Sequence, residues 1–139
     1  MRLFNIYGKL TKKSVSKYII DWDAKSRSMA QFNVKQFLKP YWIGHIVYEE
    51  FPVYGSLLKV DFINATKKIA IEVNGPQHSS FNPFFHNNSR VNYLKGIKRD
   101  YQKRIWLEKN NFILMEIDTN EIKGLSSDFF LKTFGRSIV

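Results

Sequence analysis

The chain has 139 residues, 44% hydrophobic and 16% aromatic, with only 7 Gly and 4 Pro; that composition suits one packed domain and excludes a disordered or low-complexity polypeptide. With 22 Lys and Arg against 12 Asp and Glu the formal charge is +10, a field that attracts polyanions and puts nucleic acid first among partners. The absence of Cys removes disulfides, thiolate zinc sites and thiol nucleophiles.

No apolar run approaches the roughly 20 residues of a membrane span. The opening Met1-Arg2-Leu3-Phe4-Asn5-Ile6 lacks a secretory signal's apolar stretch. The expectation is a cytoplasmic, intracellular protein with no membrane partner.

Residues 1–28 read as a basic N-terminal arm carrying Lys9, Lys12, Lys13 and Lys17, and 29–139 as a single domain. Tyr18-Ile19-Ile20 could form a strand or pin the arm to the body; a solvated tail and a DNA-contacting arm are equally open. The polar run Asp21 to Ser28 resembles a linker.

From Met29 to Leu38 apolar residues recur at helical spacing, and Pro40 is expected to stop the helix. Three strands follow, Ile46–Tyr54, Leu57–Ile63 and Ile69–Val73, rich in β-branched and aromatic residues. A second helix is expected over Ser89–Lys109, with Val91, Leu94, Ile97, Tyr101 and Ile105 forming its apolar face. The strand Phe112–Ile117 and a helix over Ser126–Phe134 close the pattern. This order predicts an α/β fold, a central mixed β-sheet flanked by helices, in which the Ile69 and Phe112 strands pair in parallel across the long helix.

Two strands of core residues each carry one carboxylate, Asp61 in Lys59-Val60-Asp61-Phe62-Ile63 and Glu72 in Ile69-Ala70-Ile71-Glu72-Val73. A turn centred on Thr66 and Lys67 sets them opposite each other, with Cβ atoms about 4.5–5.5 Å apart. Two carboxylates that close need a cation, and all-oxygen ligation completed by water suits Mg²⁺, with Mn²⁺ as substitute. A longer turn that shifts the register by one residue sends one of them to the other face. Solvated strand ends, or pairs with Lys59 and Lys68, are the plainer alternative. His78, after the Gly75-Pro76 turn, is an imidazole delivered beside the pair. Asp100 and Arg104 are expected on the flank of the long helix's apolar face, pointing inward, or as a surface pair with each other.

The string Val60-Asp61-Phe62, Ile71-Glu72-Val73-Asn74-Gly75 with His78, then Asp100 and Arg104 before Trp106-Leu107 and Phe112-Ile113-Leu114-Met115-Glu116-Ile117, resembles the PD-(D/E)XK nuclease superfamily. The similarity is to its branch of very-short-patch repair endonucleases, small restriction-like domains and phage-borne homing endonucleases, and it covers roughly Val47 to Ile117. The resemblance implies a restriction-endonuclease-like core and Mg²⁺-dependent hydrolysis of double-stranded DNA, with Asp61, Glu72 and the Val73 carbonyl as metal ligands. The family's usual Lys is replaced by Asn74; in the repair branch a His and a helix Asp serve instead, which map onto His78 and Asp100. The first helix carries no acid, so Gln31 or Gln36 stand in for the Glu many members have there, with Glu49 or Glu50 to compensate. Gln36, Gln77 and Arg104 complete the set as supporting residues.

Phosphate contacts are expected from Arg90, Lys95, Lys98, Arg99 and Lys103 on the outward side of the long helix, from Lys67 and Lys68 at the hairpin tip, and from Lys12 and Lys13 in the arm. Phe81, Phe84 and Phe85 could wedge between bases, and His86 is a second candidate imidazole. A binding module with a decayed centre and a structure-selective junction nuclease acting as a homodimer are the competing readings.

Overall fold

A computed structural model of the chain describes residues 1–74 and 90–139. Two short strands, β1 (Arg2–Phe4) and β2 (Leu10–Lys12), pair as an antiparallel hairpin ahead of α1 (Met29–Trp42). Then come β3 (Val47–Pro52), β4 (Lys59–Asn64), β5 (Ile69–Asn74), α2 (Arg90–Lys109), β6 (Ile113–Asp118) and α3 (Ser127–Phe134). Helix, three strands, helix, strand and helix therefore follow in the expected order.

The main sheet runs β3-β4-β5-β6, antiparallel for the first two pairings and parallel between β5 and β6. Both faces are covered. On one, Val34, Leu38 and Trp42 of α1 and Phe130 of α3 bury Val47, Phe62, Ile69, Ile71, Met115 and Ile117. On the other, Trp106 and Leu107 of α2 join Leu3 and Val15 over Tyr48, Ile63 and Ala70. Burial on both sides explains why β5 reads as an almost continuous apolar run. Among the described residues no helix is long and apolar enough to cross a membrane.

The N-terminal residues are fastened to this body. Leu3 and Val15 are buried, the Trp106 indole donates to the Phe4 carbonyl at 2.7 Å, and the Asn110 side chain both donates to that carbonyl and accepts from the Phe4 N–H. Gly55, at φ +86°, lets the chain pass so close to Ile6 that a Cβ there would meet its side chain at 3.1 Å. Lys12 and Lys13 consequently sit on a folded hairpin, with the Lys13 ammonium 5.2 Å from the Tyr54 ring centre.

Two local expectations are corrected. Pro40 does not stop α1, which continues to Trp42; the backbone bond Pro40 forgoes is offset by complete burial of Trp42, whose indole donates to the Ile138 carbonyl at 2.8 Å. The apolar stripe of α2 does not face the core: Val91, Leu94, Ile97, Tyr101 and Ile105 are all exposed. The half-buried seam runs instead through Tyr93, Gly96, Asp100 and Lys103 to the buried Trp106 and Leu107. The helix turns a polar edge inward because the sheet beneath it carries carboxylates.

Candidate active site

The carboxylates arise from strand register. In the β4–β5 ladder Phe62 faces Ile71 and Ile63 faces Ala70, so one further step sets Asp61 opposite Glu72, as the turn centre predicts. The connection itself is a four-residue turn, Ala65–Lys68, with Lys68 at φ +60°, and it keeps the register a two-residue turn would give. The β3–β4 register sets Glu50 opposite Asp61, between the pairs Glu49–Phe62 and Phe51–Val60. Glu50 has φ +53°, an uncommon conformation for a side chain of this size. In the parallel ladder Glu72 is the partner of Glu116. Four carboxylates, one from each strand, thus form a row across the sheet.

Asp61 and Glu72 are buried at 3% and 6% exposure. The Val73 N–H donates to Asp61 Oδ2 at 2.8 Å, while the Arg27 guanidinium lies 3.4 Å from Oδ1 and 3.8 Å from Glu50 Oε1. Lys103 donates to Glu72 Oε1 at 2.8 Å. Burial, and then the charge of Asp61 beside it, pushes the Glu72 carboxyl up to about 8, against the smaller opposing pull of Lys103. Desolvation therefore outweighs the ion pair.

Arg27 is held by a polar anchor beneath it. Lys35 of α1 is completely buried, and its ammonium donates to the Asp21 carbonyl at 3.0 Å, the Ala24 carbonyl at 2.7 Å and Glu49 Oε1 at 2.9 Å. Ser26 Oγ donates to Glu49 Oε2 at 2.6 Å. Gln31 donates to Glu49 and Glu50 at 2.9 and 3.1 Å, and its own side-chain oxygen is buried without a partner. The run from Asp21 to Ser28 is thereby a fixed shoulder of the site.

Beside the row opens a cleft of ≈ 470 Å³, whose lining includes Arg27, Glu50, Lys59, Arg99, Asp100 and Lys103. The helix candidates are divided. Lys103 points inward to Glu72, whereas Arg90, Lys95, Lys98 and Arg99 are exposed. Asp100 is half-buried at the cleft, and Arg104 pairs with Glu116 at 3.1 Å. Asn74 donates to Glu116 at 3.4 Å. Gln36 donates to the Trp22 carbonyl at 2.6 Å, away from the carboxylates, leaving Gln31 as the α1 amide that reaches them. Lys67 bonds the Val139 carbonyl and Lys68 lies over the Phe112 ring, so neither joins the cleft. Gln77, His78, Phe81, Phe84, Phe85 and His86 lie outside the described residues.

An all-oxygen pair of buried carboxylates is the kind of donor set that suits a hard divalent cation keeping water ligands. Among the described residues no three acidic or imidazole side chains gather as a group that could hold a metal ion.

No family model matches the chain, and no solved structure does. It is 36% identical over 66 residues to the uncharacterized protein 033L of invertebrate iridescent virus 3. That similarity takes in 48% of this chain and 34% of the viral protein, so the matched segment spans about a third of that relative's length. Arg27, Lys35 and Glu116 are the contributors sequence reasoning passed over. The available signal was Lys35 itself, a lysine set between Val34 and Leu38 on the apolar side of a helix.

Proposed function

We propose that the chain is a divalent-cation-dependent endodeoxyribonuclease with a restriction-endonuclease-like core. What carries the reading is the buried juxtaposition of Asp61 and Glu72 on adjacent strands at the edge of a basic cleft. Asp61, Glu72 and the Val73 carbonyl would hold Mg²⁺ or Mn²⁺. The bound ion supplies Lewis-acid polarisation of the scissile phosphate and acidification of water.

The chain's own residues would do the rest. Arg99 and Lys59 offer phosphate contacts along the cleft. Asp100, half-buried on the seam of α2, would orient water or an imidazole. His78 would accept the proton of the attacking water, whose oxygen bonds to phosphorus as the bond to the 3′ oxygen breaks, the leaving oxygen taking its proton from solvent water.

Supercoiled plasmid incubated with Mg²⁺ or Mn²⁺ is expected to be nicked or linearised by the wild type, with Asp61→Ala and Glu72→Ala reduced to background. Equal trace nicking by all three overturns the proposal. The ion pairs of Asp61 with Arg27 and Glu72 with Lys103 favour one second reading, a nucleic-acid-binding module in which the row is structural; that outcome would select it.

Duplex binding should weaken steeply with salt, with log affinity falling by about 0.9 per phosphate neutralised for each unit of log salt. Arg99→Ala should flatten this slope by about one unit, and Lys67→Ala, away from the cleft, should leave it unchanged. Identical slopes for the two variants would refute the cleft as the phosphate track.

A further inference from the structure

Each of the two central carboxylates has a cation on it. Arg27 reaches Asp61 Oδ1, the oxygen left over once Val73 N–H has taken Oδ2; Lys103 reaches Glu72 Oε1. We infer that Arg27 and Lys103 are exchangeable cations, which occupy Asp61 Oδ1 and Glu72 Oε1 in the metal-free protein and turn to phosphate oxygens in the cleft when a divalent cation takes their place. The inference rests on the metal-dependent reading given above.

The charges support a one-for-one exchange. Once Glu72 is ionised, as metal binding requires, two carboxylates and two monocations are neutral together, and a dication balances the same pair, so keeping all three cations on two carboxylates would leave the buried site strongly positive. The arginine contact is loose. Its 3.4 and 3.8 Å distances exceed the roughly 2.7–2.9 Å of a charge-assisted hydrogen bond, and the Arg27 side chain is 66% exposed. Its backbone is steadied by Lys35, which holds the carbonyls of Asp21 and Ala24, so release needs side-chain rotation alone. Both cations line the cleft already, within reach of a polyanion. Metal would then create phosphate-binding capacity as well as polarising phosphate, and duplex DNA would tighten metal by the same factor.

Two titrations test this with catalysis silent. Mn²⁺ affinity is measured by calorimetry without DNA, and a labelled duplex of about 20 base pairs is titrated by anisotropy in EDTA and in Ca²⁺, used to keep it intact. Arg27→Ala should bind Mn²⁺ about three- to tenfold more tightly than the wild type, since a competing cation is gone. It should bind duplex as the wild type does in EDTA and about threefold or more weakly in Ca²⁺. Lys103→Met should repeat both signs. Unchanged or weaker Mn²⁺ binding, or a duplex defect of equal size in EDTA and Ca²⁺, overturns the exchange. Asp61→Asn separates the two levels: if it binds Mn²⁺ like the wild type, the metal reading itself has failed, whereas loss of Mn²⁺ there with no gain in Arg27→Ala fails the exchange alone.

Discussion

Replacing Lys35 by Met is expected to cost about 3–5 kcal/mol, the range for removing one partner of a buried ion pair, and to lower Tm by on the order of 10 °C or more. The ammonium is fully buried and serves three acceptors at once, Glu49 and the carbonyls of Asp21 and Ala24. Methionine fills much of the volume but strands all three. A double variant, Lys35→Met with Glu49→Leu, should recover part of the loss, because the uncompensated charge leaves with its partner. Thermal or urea unfolding of the set measures this. A cost below about 1 kcal/mol, the usual worth of an exposed pair, would show that Lys35 is not the anchor described. The single variant should also lose the steadying of the loop that carries Arg27.

Stability of the metal-free protein is expected to fall as pH rises from about 4.5 to about 8. A glutamate in the unfolded chain releases its proton near 4.5, whereas Glu72 in the fold holds its proton up to about 8. Between those values the native state binds more protons than the unfolded state, so each step up in pH favours unfolding. The contribution is fully present below 4.5 and lost above 8. At about 1.4 kcal/mol per pH unit of separation, the total is on the order of a few kcal/mol. Glu72→Gln, which keeps the shape without the ionisation, should flatten the profile in this window.

A divalent cation requires the ionised carboxyl, so Mn²⁺ should raise Tm more at pH 8.5 than at pH 6, and binding near neutral pH should release protons, read as a buffer-dependent heat. A Tm gain from Mn²⁺ that is the same at both pH values would contradict the protonated, buried Glu72.

The register that joins Asp61 to Glu72 was legible because strand side chains alternate with a period of two and the turn centre fixes which residues meet. The four-residue turn could have broken that inference; it did not, because Lys68 adopts a left-handed conformation that keeps the pairing centred between Thr66 and Lys67. The face of α2 was not legible. Helical periodicity finds an apolar stripe, and the usual reason to bury such a stripe is an apolar sheet beneath it. Here the sheet offers Glu72 and Glu116, so Lys103 and Arg104 are drawn toward it while Tyr101 and Ile105 stay outside.

Arg27 escaped for a related reason. The run from Asp21 to Ser28 has no hydrophobic period, so nothing local distinguishes a solvated linker from a loop fixed by a buried lysine fourteen residues further on from Asp21. Pro40 gave a local stop signal that the distant Trp42–Ile138 contact overrides. In each case the deciding interaction is between residues far apart in sequence or belongs to another element's surface.

The contact between the Trp42 indole and the Ile138 carbonyl spans 96 residues, and that between Trp106 and Phe4 spans 102. One seals the layer under α1 and α3, the other fastens the hairpin to the long helix. During synthesis neither can form until its later residue has emerged from the ribosome, which leaves the early strands waiting with their apolar faces uncovered. Topologies dominated by such distant closures fold slowly and expose aggregation-prone surface on the way, so yield from a cell should depend more on translation rate and chaperone supply than the stability of the finished fold would suggest.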